Sequence, residues 1–261
     1  MIQLDNIDVT FDAGTPLERR ALQDVGLQVP KGQFVTLIGS NGSGKSTILN
    51  LIAGTIQPDR GSIVVGGQDV TDWPVHARAR LVSRVFQDPK VGTCENLTVL
   101  ENFAVARNRS VPRGLRFAID RNLRAETAQR LQTLKLDLES RLDDKVGQLS
   151  GGQRQALSLL MATSGEASVL LLDEPASALD PEIGQRVNDL TQRIAAALSL
   201  TVIMVTHSMA DALSYGDRTI MLSRGRIALD ISGAQRAATD AMDLLHLFKR
   251  NVSFGLQFAV G

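Results

Sequence analysis

The stretch "GSNGSGKST" at residues 39–47 constrains this chain more than any other. It follows the apolar run "FVTLI" and opens the helical pattern "TILNLIAG". That is the P-loop pattern in its required strand–loop–helix setting. Glycines let the backbone curl until successive N–H groups point inward at phosphate oxygens. The amino terminus of the next helix adds partial positive charge. Gly39, Ser40, Asn41, Gly42, Ser43, Gly44, Lys45, Ser46 and Thr47 are therefore the candidate cradle for a nucleotide's phosphates. Lys45 is expected to reach the β and γ phosphates, and the Ser46 hydroxyl to ligate Mg2+.

Strand-like runs recur: "QFVTLIG" from 33, "RLVSRVFQ" over 80–87, "SVLLLDE" from 168, "TVIMVTH" from 201 and "RTIMLSRG" from 218. Several are almost continuously apolar, as parallel strands buried on both faces are. Helical patterns such as "GQRQALSLLMAT" and "PEIGQRVNDLTQRIAAAL" lie between them, and the alternation reads as α/β. The first 30 residues instead alternate apolar and polar, as in "MIQLDNIDVTF", and predict antiparallel strands around a turn at Gly14-Thr15-Pro16. Residues from about 90 to 165 read as mostly helical, without a buried strand, and predict an inserted helical lobe. Within it, residues 105–135 hold eight Lys or Arg against two acids. A solvated helical face explains that charge; so does a surface facing an anionic membrane or partner.

A phosphate cradle needs an acidic partner for its metal and an activator of water, and "SVLLLDEP" at 168–175 ends a strand in two carboxylates. Asp173 is expected at the strand's carboxyl end, where ligands gather in open α/β sheets, holding Mg2+ through water. Glu174 is placed to orient or deprotonate the attacking water. Gln87 and His207 also end apolar runs. Gln87 is expected to touch Mg2+ and the water, and His207 to donate to the γ-phosphate.

Composition closes several other routes. Basic and acidic residues balance at 28 each, without the basic footprint of a general nucleic-acid binder. No apolar run approaches the ~20 residues of a membrane helix. The opening residues carry an acid where a secretion signal would carry positive charge, so no signal is expected. The one cysteine, Cys94, has no internal disulfide partner, and a reducing compartment is expected. His76 and His246 lack metal-ligand spacing, and no transition-metal site is expected.

"LSGGQRQ" at 149–155 puts two glycines behind a hydroxyl, in front of an apolar helix, and so presents donors to an anion at a helix amino terminus. Taken together, these residues resemble the ATP-binding subunit of an ABC transporter. "GSNGSGKST" looks like Walker A, Gln87 the Q-loop, "VLLLDE" Walker B, "LSGGQ" the signature, "SALD" at 177–180 the D-loop and His207 the H-loop. The resemblance runs over roughly residues 1–235. It implies a P-loop NTPase core of α/β class, with an antiparallel β subdomain and a helical subdomain inserted at about 90–165. A C-terminal helix and tail over 236–261 follow, and Met242, Leu244, Leu245, Leu247 and Phe248 predict that the helix packs on the core.

In the family, the signature binds the γ-phosphate of an ATP held by another subunit's P-loop. The resemblance thus implies a head-to-tail dimer in which Ser150, Gly151, Gly152 and Gln153 face the partner's ATP. It further implies that Phe11 stacks on the adenine, and that Ser177 and Asp180 lie at the dimer interface. ATP with Mg2+ would close the dimer and pull on partner proteins docked near Gln87 and the helical lobe. Hydrolysis aided by Glu174, His207, Gln87 and Lys45 would reopen it.

Three kinds of ABC protein fit a chain without a membrane span. A transporter subunit works at the cytoplasmic face of the membrane with separate permease chains and, in importers, an extracytoplasmic substrate-binding protein. An iron–sulfur assembly ATPase resembles "SGGE" followed by lysines at the signature, where this chain reads "SGGQRQA". A DNA-repair or chromosome ATPase needs a long coiled coil between Walker A and the signature, where this chain has about a hundred residues and no sustained heptads. The first is the expected class. "RLDDKVGQLSGGQRQALSLLMAT" and "DLLHLF" further resemble importer ATPases whose permeases are of the branched-chain-amino-acid type, with aromatic amino acids as proposed cargo. Pro175-Ala176 departs from that subgroup, which carries His-Thr after the Walker B glutamate.

Overall fold

The computed structural model describes residues 1–107 and 119–253. Part of the basic stretch, residues 108–118, and the tail from 254 lie outside the described residues.

Two sheets form the body. The smaller is antiparallel: β1 (Ile2–Phe11) lies between β2 (Arg19–Val29) and β4 (Arg60–Val65), with the short β5 (Gln68–Asp69) beyond. The larger has the order β10-β9-β3-β8-β7-β6. It is built from β3 (Phe34–Gly39), β6 (Val82–Val85), β7 (Val169–Asp173), β8 (Thr201–Val205), β9 (Arg218–Ser223) and β10 (Arg226–Ser232). All its pairings are parallel except β9–β10. The expected antiparallel entry and parallel core are thus both present.

Two-faced burial explains the apolar runs. Val35, Leu37, Val169, Leu171, Ile203, Val205, Ile220 and Leu222 face one core, shared with the smaller sheet. The alternate residues Leu170, Leu172, Val202 and Met204 face a second. Successive side chains in a strand point to opposite faces, and here each face meets a covering layer. Helix α1 (Lys45–Ala53) fills the space between the sheets through Ile48, Leu49, Leu51 and Ile52. On the other face lies α6 (Pro181–Ala197), through Leu190 and Ala195. A third group joins α7 (Met209–Ser214), β9 and α9 (Ala241–Ser253), where Leu244 is fully buried and Phe248 packs beside it. The helix predicted near the C-terminus therefore docks on the body, after the short α8 (Gly233–Ala237).

The lobe has its own core. Helix α3 (Val99–Arg107), α4 (Arg121–Gln132) and α5 (Gly151–Ala162) enclose Leu100, Phe103, Leu123, Leu131, Leu157 and Leu160. Between α4 and α5, loops and two 3-10 turns, Leu138–Ser140 and Val146–Gln148, carry the chain, so the described part of the lobe is less helical than its pattern predicts. The buried Asn102 explains part of this. Its amide binds the backbone of Cys94 at 2.8 and 3.0 Å and the Thr98 carbonyl at 3.0 Å, holding residues 94–98 as an ordered loop.

One buried arginine locks the helix behind the P-loop. Arg78 ends α2 (Val75–Arg78) and donates to the Leu51 and Ile52 carbonyls in the last turn of α1, and to those of Trp73 and Thr71. Burial draws its guanidinium pKa down, yet it supplies donors to carbonyls at a helix end, beside the Gly54 N–H that also reaches the Leu51 carbonyl at 3.1 Å. Arg78→Met should cost at least about 3 kcal/mol in urea unfolding, because several buried acceptors lose their donor. A loss under about 1 kcal/mol would show that water replaces the guanidinium there.

Candidate active site

The larger sheet brings the predicted residues to its carboxyl edge. Residues 39–45 turn from β3 into α1. At Gly39 a Cβ would sit 2.5 Å from both the Leu222 carbonyl oxygen and Ser43 Oγ; at Gly44, with φ +110°, it would sit 2.6 Å from Leu22 Cδ2. Only glycine lets the loop curl against β2 and β9. Lys45 Nζ is buried and donates to the carbonyls of Gly39 at 2.8 Å and Ser40 at 3.0 Å, across the loop. Burial lowers its pKa, and the charges of Glu174 and Asp173 oppose that shift. Ser43 Oγ is buried with no hydrogen-bond partner among the described residues. Inward-curled backbone, an unpaired hydroxyl and a buried ammonium fit a phosphate group. The hard oxygen donors Ser46 and Asp173 fit Mg2+, which prefers such ligands.

The two carboxylates end β7, as the sequence predicts. Asp173 pairs with Arg84 at 2.7 Å. Glu174 follows with φ +49°, a left-handed conformation uncommon for a residue with a side chain. Its backbone N–H donates to the Val205 carbonyl at 3.1 Å, which fixes it against β8. Its Oε1 lies 2.5 Å from His207 Nε2; the glutamate side chain is 12% exposed and the histidine 49%. Backbone strain of this kind clusters where a side chain must be aimed, and here it aims Glu174 at His207. Gln87 follows β6 and is exposed. Gln155 of α5 donates to the Phe86 carbonyl at 3.1 Å, so the segment leading to Gln87 is tied to the lobe.

Ser150 and Gly151 are exposed at the start of α5. Ser150 Oγ accepts the Gln153 N–H at 3.3 Å, and Gln153 Oε1 accepts the Ser150 N–H at 3.2 Å, which together form a capping box. The Gln153 side chain also accepts from Arg141 and donates to the Leu136 carbonyl, each at 3.2 Å. It is turned into the lobe and not outward toward a ligand. A Cβ on Gly152 would lie 2.4 Å from Ile183 Cγ2, so glycine is what lets α5 lie on α6. Among the described residues, no hydrogen bond or ion pair joins Ser150, Gly151 or Gly152 to the chain's own P-loop. Phe11 packs partly against the main core, with the Arg19 guanidinium 5.4 Å from its ring centroid. One ring face is thus covered by that cation. Ser177 folds back on Glu174 by two hydrogen bonds to its carbonyl, from N at 3.2 Å and Oγ at 3.0 Å.

Arg84 and Asn50 enter the site without having been predicted. The sequence signal was a lone arginine inside the apolar run "VSRVF".

Comparison with known proteins gives a consistent result. The family described as "ABC transporter" matches residues 22–177. A tyrosine transport ATP-binding protein of Clostridioides difficile is 39% identical over 249 residues, covering 95% of this chain and 99% of that protein. A sulfate/thiosulfate import ATP-binding protein of Agrobacterium fabrum is 38% identical over 87% of this chain, which spans 62% of that longer relative. Among solved structures, a dimeric ATP-binding cassette in a post-hydrolysis state bound to ADP and Pi has a TM-score of 0.76 at 28% identity, covering 89% of this chain and 98% of that one. A cassette in its ADP conformation has a TM-score of 0.79 at 25% identity, covering 95% and 98%.

Proposed function

The chain belongs to the ABC transporter family, and from that premise we infer that it is the ATP-hydrolysing subunit of a membrane importer of small solutes, with an aromatic amino acid as cargo. The observation that carries the ATPase reading is the convergence of Lys45, Asp173, Glu174 and His207 at one sheet edge. The cargo rests on the tyrosine transport relative, which matches almost end to end. The relatives described above are all named for transport, which favours this reading over cofactor assembly.

P-loop N–H groups and Lys45 would hold the β and γ phosphates, and Phe11 would offer a ring face to the adenine. Ser46 and Asp173, with Gln87, would hold Mg2+, whose positive charge offsets charge developing on the phosphates. Glu174 accepts a proton from the attacking water or orients it, and His207 holds the Glu174 carboxylate in place. The exposed Ser150 and Gly151 would meet the nucleotide of a second subunit in a head-to-tail dimer. That dimer would sit at the cytoplasmic face of the membrane on permease chains, fed by an extracytoplasmic substrate-binding protein.

Purification of the tagged chain from its native cells in mild detergent, with identification of what accompanies it, tests this reading. A multi-span permease is expected. ATPase activity of the reconstituted complex should then rise with tyrosine and its binding protein. Recovery of soluble assembly factors alone would overturn the transporter assignment.

A further inference from the structure

We propose that Arg84 is a positioning residue for Asp173, tying that carboxylate through Asn50 to the helix behind the P-loop. The proposal rests on the nucleotide-site reading above. It begins with register. β6 and β7 run parallel with Arg84 opposite Leu171. Asp173 lies two residues further along β7, and so on the same face of the sheet at a rise of roughly 7 Å. An arginine spans that distance where shorter side chains do not. Leu171 points into the core that holds α1, so this face also confronts Asn50.

The guanidinium uses both reaches. Its Nη2 donates to Asp173 Oδ2 at 2.7 Å and its Nη1 to Asn50 Oδ1 at 2.6 Å. The Phe86 ring, just past the end of β6, has its centroid 4.9 Å from the guanidinium carbon, a cation–π contact. Side-chain exposure is only 14% for Arg84 and 18% for Asp173. Arg84 Nε is buried without a partner among the described residues, a desolvation cost that an aliphatic residue here would not carry. Its counterpart is one immobilised carboxylate. Oδ2 of Asp173 is claimed by the protein, and Oδ1 makes no hydrogen bond among the described residues. Asp173 is thus held through one oxygen, and its charge is felt by Lys45 of the P-loop. Hydrogen-bond partners of metal-binding carboxylates typically contribute about 10–100-fold to metal affinity.

The test uses the full chain and a fluorescent ADP analogue, titrated in EDTA and across a Mg2+ series. In Arg84→Met, affinity without metal should stay within about twofold, while the strengthening by Mg2+ falls about tenfold. Arg84→Lys keeps the charge without the fork and should recover only part of that coupling. Asn50→Ala should shift it in the same direction by less, and the double variant should be no worse than Arg84→Met alone. Unchanged or stronger Mg2+ coupling in a folded Arg84→Met would overturn the proposal, since Arg84 would then be a spectator or a competitor of the metal. If Arg84→Met does not fold, unchanged coupling in Asn50→Ala overturns the tie. Failure of the unsubstituted chain to bind the analogue at all would instead remove the nucleotide-site reading beneath it.

Discussion

Glu174→Gln is expected to bind ATP with near-normal affinity and to hydrolyse it about 10²–10⁴-fold more slowly, the usual contribution of a positioned base. Glutamine has the shape of glutamate, so the left-handed turn and the backbone bond to Val205 should persist. Its amide can still meet His207. What it cannot do is take a proton from water. With ATP and Mg2+ saturating, the variant should therefore accumulate as a dimer, visible by size exclusion with light scattering. A variant that stays monomeric under these conditions would exclude ATP-driven closure of the isolated chain. A variant that hydrolyses at the normal rate would move the base elsewhere, with His207, at 2.5 Å, the next group to replace.

Ser150→Arg should produce the complementary defect. Nucleotide binding to the chain's own P-loop stays near normal, because nothing among the described residues links Ser150 to that loop. Turnover falls by at least about 10²-fold, the cost of losing a preorganised donor to developing charge. The side chain's role as a helix cap adds a smaller loss of about 1 kcal/mol in stability. Ser150→Ala separates the lost hydroxyl from the added bulk: it removes donor and cap together, but places nothing large at the exposed end of α5. If Ser150→Arg weakens ATP binding to the isolated chain, the signature acts on its own site and the head-to-tail arrangement fails.

The residues legible in the sequence are those whose environment is extreme. β3, β7 and β8 announce themselves because burial on both faces leaves few polar positions, such as Thr36 and Thr201, whose hydroxyls are hydrogen-bonded. The same burial isolates Asp173, Glu174 and His207 at the strand ends, where polarity needs an explanation. Gly39 and Gly44 are legible because the backbone there approaches neighbouring strands too closely for a Cβ, and Gly42 because its φ of +77° favours glycine. β4 and β10 passed unremarked, since their half-exposed faces mix polar and apolar residues. The side chain of Gln153 was expected to face a ligand, but a capping box claims it locally. Arg84 was invisible for a different reason: its partners, Asn50 and Asp173, come from segments distant in the chain. Only the register of β6 against β7 brings them together.

The lobe encloses an apolar cluster of its own, and α5 links it to the body by adding Leu157 and Leu160 to that cluster and Leu159 and Ala162 to another, with Leu134 and Ile194 packed against both. Substitutions in α3 or α4 should therefore be absorbed largely by the lobe's side chains without reaching α1 or the strands beneath the P-loop, because sites without shared neighbours act independently. The architecture is therefore modular in an evolutionary sense. If partners dock on the lobe as proposed, its surface is free to drift to suit a new one while the ATP chemistry stays intact, and α5, with Leu134 and Ile194 beside it, marks where that freedom ends.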